Sequence, residues 1–147
     1  MSMSVHVVFR GPVPDIYGIQ DILNKIGFEL SLVEYPVKFE DHTGFLPMKR
    51  LGRPAGAEFY LGGPEDIRQI DDWAKVGFDR QFDKVASLYF GGDPEWVASA
   101  YAFASAFASA TGGVVIDSEE GILQNPEDAL EAARLIWTWA NEQRISE

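Results

Sequence analysis

Leu30-Ser31-Leu32-Val33-Glu34-Tyr35-Pro36-Val37-Lys38-Phe39, followed without an intervening helical pattern by Glu58-Phe59-Tyr60-Leu61, decides the fold class. Both segments place β-branched or aromatic residues in near-alternation, as strands with one buried face do. Pro36 marks the first of them as an edge or bulged strand, because proline lacks the N–H a ladder needs. A doubly wound α/β sheet requires a crossover, usually a helix, between successive parallel strands. The stretch from Leu30 to Leu61 offers none. An α+β fold is expected, with a mainly antiparallel or mixed sheet of about four to six strands.

The flanking sequence fills in the rest. Val5-His6-Val7-Val8-Phe9 reads as a strand ended by Gly11-Pro12, and Val85 to Phe90 and Val114-Val115-Ile116 read as two more. Asp15 caps a helix whose Ile16, Ile19, Ile22, Leu23 and Ile26 recur at helical spacing until Gly27. Pro64-Glu65-Asp66 opens a helix buried through Ile67, Ile70 and Trp73. Further helices are expected over 93–110, opened by Asp93-Pro94-Glu95, and over 125–143, opened by Asn125-Pro126-Glu127. The order mixes hairpins with crossovers and implies split β-α-β units. Trp96, Tyr101, Phe103, Phe107, Leu130 and Trp137 are the expected core aromatics and aliphatics of the last two helices. Between Val97 and Ala110 small residues surround the rings on every side, the pattern of a central helix approached closely by its neighbours.

The 147 residues suit one domain spanning 1–147, and 46% of them are apolar, so disorder and fibrous repeats are excluded. Net charge is -11. Such a chain repels phosphate backbones and anionic headgroups, which disfavours nucleic-acid and membrane-surface partners. Residues 1–63 hold 6 basic and 7 acidic side chains, whereas 64–147 hold 6 and 16. Without cysteine there is no thiol nucleophile, thiolate metal site or disulfide. The start of the chain shows no basic segment followed by an apolar core, and a cytoplasmic location is the expectation.

Motifs for cofactor chemistry are missing. Gly62-Gly63-Pro64, Gly91-Gly92-Asp93 and Gly112-Gly113 sit at strand–helix junctions, yet none is followed by a P-loop lysine or keeps dinucleotide spacing. The run Asp117-Ser118-Glu119-Glu120-Gly121 fails the EF-hand pattern. No cofactor and no metal are expected. The two histidines, His6 and His42, lie far apart, and no Gly-x-Ser-x-Gly elbow accompanies them, so no catalytic residue is assigned.

The segment Gly44 to Gly56 reads two ways. It is either a hairpin lying against the sheet or a recognition loop with Phe45 and Met48 as apolar anchors and Arg50 on a basic tip. Asp71, Asp72, Asp117, Glu119 and Glu120 form the candidate acidic face. Gly44-Phe45-Leu46-Pro47-Met48, Ala55-Gly56-Ala57-Glu58-Phe59 and Thr111-Gly112-Gly113-Val114-Val115-Ile116-Asp117 resemble segments of small acidic bacterial proteins, some of them similar to immunity proteins of toxin systems. That resemblance implies inhibition by binding a toxin of the same cell. The leading expectation is therefore a non-enzymatic binding protein whose acidic half and 44–56 segment meet a basic partner. A small enzyme or small-molecule binder with a pocket near residues 44–56 is the alternative. A structural or regulatory homo-oligomer, such as a homodimer, is the third reading.

Overall fold

The structure, a computed structural model, describes residues 3–32, 38–41, 43–63, 82–117 and 121–145. Seven strands form one antiparallel sheet: β1 (Met3–Phe9), β2 (Leu30–Leu32), β3 (Gly44–Arg50), β4 (Arg53–Gly62), β5 (Lys84–Phe90), β6 (Val114–Asp117) and β7 (Ile122–Gln124). Their spatial order is β2-β3-β4-β5-β1-β6-β7. Among the described residues three helices accompany them, α1 (Ile16–Ile26), α2 (Pro94–Thr111) and α3 (Pro126–Ile145). The class is α+β, as the sequence implies. Because β5 and β6 each pair antiparallel with β1, they run parallel to one another. With α2 joining them, they form a split β-α-β unit around β1.

Two corrections concern strands. The sheet has seven, above the expected range, because the segment Gly44 to Gly56 is built into it and because Ile122–Gln124 adds an edge. The strand expected from Leu30 to Phe39 ends at Leu32 in its described part, and Phe39–Asp41 makes a single 3-10 turn. The helix expected from Pro64, with Ile67, Ile70 and Trp73, lies outside the described residues.

β3 and β4 form a tight hairpin. Arg50 pairs with Arg53, and the two residues between them have positive φ, +52° at Leu51 and +78° at Gly52, as a type I′ turn requires. Both prolines of the hairpin sit where the sheet is one-sided. β2 reaches only Met48 to Arg50, leaving Pro47 outside it, and β5 reaches only Glu58 to Gly62, leaving Pro54 free on that side. A missing N–H is tolerated there.

The helices begin where the sequence places their caps. Asp15, Asp93 and Asn125 accept from the amides of Gly18, Glu95 and Asp128. Gly27 and Gly112 end the first two in the left-handed conformation. α2 is buried at every position from Val97 to Ala108, between the sheet on one side and α1 and α3 on the others. Phe103 and Phe107 meet Phe39 and Phe59 at ring separations of 5.6–6.4 Å, and Phe9 packs 5.0 Å from Phe107. Full burial of each such ring contributes about 1.5–3 kcal/mol. Tyr101 is buried with them, while Trp96, Leu130 and Trp137 are partly buried against the same cluster. No helix among the described residues is long and apolar enough to cross a bilayer.

Candidate functional site

Strand register sorts the residues onto two faces. Val5, Val7, Phe9, Leu46, Met48, Ala57, Phe59, Ala86 and Leu88 lie under α2. The alternate positions face the other way. There, Phe45 stands directly opposite Glu58, and Glu58 directly opposite Tyr89. One row along, Tyr60 is opposite Ser87 and Ser87 opposite His6. The second face thus carries an aromatic–acid–aromatic row above a row of tyrosine, serine and histidine.

The side chains in these rows touch. Tyr60 and Tyr89 pack edge to face with ring centroids 5.8 Å apart, and His6 meets Tyr89 in the same way at 5.9 Å. His6 Nδ1 lies 2.7 Å from Ser87 Oγ. Burial pushes the His6 imidazole below its ordinary pKa, so it is neutral at pH 7. Tyr60, Leu61, Gly62, Ser87 and Tyr89 line a groove of about 380 Å³. Trp96, from the first turn of α2 beyond the end of β5, brings its ring within 5.5 Å of Phe45.

A histidine bonded to a serine invites a hydrolytic reading, and the surroundings argue against it. β5 is paired on both sides, by β4 and by β1, so its amides belong to ladders and not to an oxyanion. Among the described residues His6 makes no second hydrogen bond that would orient the ring as a triad carboxylate does. The arrangement is a neutral cross-strand pair of which Ser87 lines the groove.

The opposite face holds a charged centre. Arg50, fully buried, donates from Nη1 to Glu95 Oε1 at 2.9 Å and from Nη2 to Trp137 O at 2.9 Å and Asn141 Oδ1 at 2.5 Å. Its guanidinium carbon lies 4.2 Å from the Trp137 ring centroid, and Arg144 Nε reaches the same Glu95 oxygen at 3.6 Å. Desolvation lowers the Arg50 pKa and Glu95 opposes the shift; an arginine remains charged under both. This cluster ties β3 to α2 and α3.

Of the residues the sequence singled out, Phe45 is 47% exposed and belongs to the aromatic row. Three others are corrected. Met48 is a core residue under the helices, because it shares the inward parity of Leu46. Arg50 follows the same alternation inward and is not a basic tip. Asp117 is only 4% exposed and accepts from Tyr101 Oη at 2.9 Å, because its position opposite Val5 turns it beneath α2. Asp71, Asp72, Glu119, Glu120 and His42 lie outside the described residues.

Sequence reasoning missed Glu58, Tyr60, Ser87 and Tyr89 as a group. The available signal was parity: Glu58 and Tyr60, like Ser87 and Tyr89, are two apart and share a face. A second recess, of about 510 Å³, lies where the α1 terminus (Asn24, Gly27, Phe28) meets the Leu51-Gly52 turn. Among the described residues no three histidine, aspartate or glutamate side chains gather as metal ligands would. Comparison with family models, curated proteins and solved structures finds no match for this chain.

Proposed function

We propose that the protein is a non-enzymatic binding protein, an immunity-type inhibitor that neutralises a basic protein toxin by contact through the face bearing Phe45, Glu58, Tyr60 and Tyr89. The observation that carries the reading is the row itself. Phe45 and Tyr60 are 47% and 37% exposed on strands of a seven-stranded sheet, not on a loop. Aromatic anchors already held in place lose little conformational freedom on binding, which is how a few residues come to supply most of an interface's affinity. The net charge of -11 favours a basic partner, whose encounter it would accelerate. The resemblance to small acidic bacterial proteins, some of them similar to immunity proteins, points the same way.

A photo-crosslinking residue introduced at position 45 or 60, with position 135 on α3 as control, tests this in the native cell lysate. The same basic polypeptide is expected as an adduct from 45 and 60 and not from 135. Absence of an adduct at both 45 and 60, or an adduct with an acidic protein, overturns the reading.

A further inference from the structure

We infer that the groove floored by Ser87 and walled by Tyr60 and Tyr89 receives an arginine side chain of the basic partner. The inference rests on the reading of this face as the contact surface and names what enters it. Three chemical features converge.

The first is the pair of rings. Aromatic faces carry negative charge density, and a cation within about 6 Å of a ring centroid is attracted to it. Because Tyr60 and Tyr89 pack edge to face at 66°, their contact occupies a face of only one of the two rings, where a parallel stack would occupy a face of both. A planar guanidinium can lie flat on the free face, which an ammonium cannot.

The second is a carboxylate in the right place. Glu58 is exposed, two residues before Tyr60 on the same face and directly opposite Tyr89. It does not line the groove but stands across the ladder from Tyr89, one of its walls, as a counter-charge able to accept two parallel N–H bonds from a guanidinium. The nearest basic residue of matching parity on β3 is Lys49, four positions beyond Phe45 and out of this row.

The third is the floor. When Ser87 donates its hydroxyl proton to His6 Nδ1, 2.7 Å away, the Oγ lone pairs are left to accept from a bound N–H. A buried, neutral His6 can take that proton and adds no positive charge beneath the cation. The groove's volume of about 380 Å³ is sufficient for one long side chain.

Titration of the protein with N-acetyl-arginine amide, and with the citrulline analogue of equal shape and no charge, followed by amide NMR shifts, tests the assignment. Saturable shifts at Tyr60, Ser87 and Tyr89 are expected for arginine, with at least about fivefold weaker binding of citrulline. Tyr60→Leu and Glu58→Gln, both at exposed positions, are each expected to weaken arginine by about two- to fivefold. Equal affinity for citrulline, shifts centred elsewhere or no saturable shift overturns the inference. Loss of arginine binding with intact crosslinks at 45 and 60 sinks the groove assignment alone. Arginine binding without those crosslinks sinks the partner reading alone.

Discussion

Two polar pairs sit on opposite faces of one sheet, and they differ in almost everything that decides their role. Arg50 and Glu95 are charged and buried; Glu95 belongs to α2, and the pair is bound to α3 through Trp137, Asn141 and Arg144. Among the described residues Arg50 Nε and Glu95 Oε2 lack hydrogen-bond partners, so the cluster carries some desolvation cost that its bonds must offset. His6 and Ser87 are neutral and joined by one short bond, and Ser87 lines a groove. The first arrangement is costly to disturb because removing one member strands a buried charge. The second is cheap to disturb because nothing charged is left behind. Both pairs are buried, so charge and partner number, not depth, separate them.

The largest expected effect comes from breaking the first pair. Arg50→Met leaves the Glu95 carboxylate buried beside Arg144 alone and is expected to cost about 3–5 kcal/mol in urea denaturation. The double change Arg50→Met with Glu95→Leu is expected to recover most of that loss, since both buried charges are then gone. A single variant as stable as the wild type would show that the cluster does not fasten the helices.

An intermediate effect belongs to His6. Its folded pKa is depressed by burial, so between the folded value and the unfolded value of about 6.5 the unfolded chain binds more protons. The neutral pair's contribution is fully present above pH about 6.5 and declines as pH falls toward the folded pKa. His6→Gln is expected to remove this part of the acid-side slope when stability is measured against pH, leaving the carboxylate contributions unchanged. Identical slopes in the two proteins would contradict the assignment.

The smallest effect is expected on the outward row. Tyr60→Ser removes one edge of an aromatic pair at a half-exposed position and should change stability by only about 0.5 kcal/mol. A thermal melt compared with that of Arg50→Met measures the contrast between the two faces directly. A loss near that of Arg50→Met would make Tyr60 part of the core.

Much of the fold was legible because its signals are local. Asp15, Asp93 and Asn125 each announce a helix within one turn, and Gly27 and Gly112 end two of them. The small-residue surround of Phe103 and Phe107 marks α2 as central before any contact is known. The hairpin of β3 and β4 was harder to read. Pro47, Pro54 and the glycines look like loop signals until the sheet is seen to be one-sided there. Of the candidate site, Phe45 was legible as an apolar anchor, whereas Arg50 was misread because its basic neighbours Lys49 and Arg53 outweighed the alternation it shares with Leu46 and Met48.

Sequence alone determined the α+β class, the cap positions, the central helix and an acidic surface chemistry, since each depends on residues a few positions apart. Tertiary structure alone decided which charges go inside and which rings meet outside. His6 reaches Ser87 across 81 positions, Arg50 reaches Asn141 across 91, and Tyr60 finds Tyr89 through strand register. Register reverses the face of every side chain when it slips by one residue, and it is chosen by the burial of the whole sheet against α2. No local pattern around Tyr60 or Arg50 contains that choice.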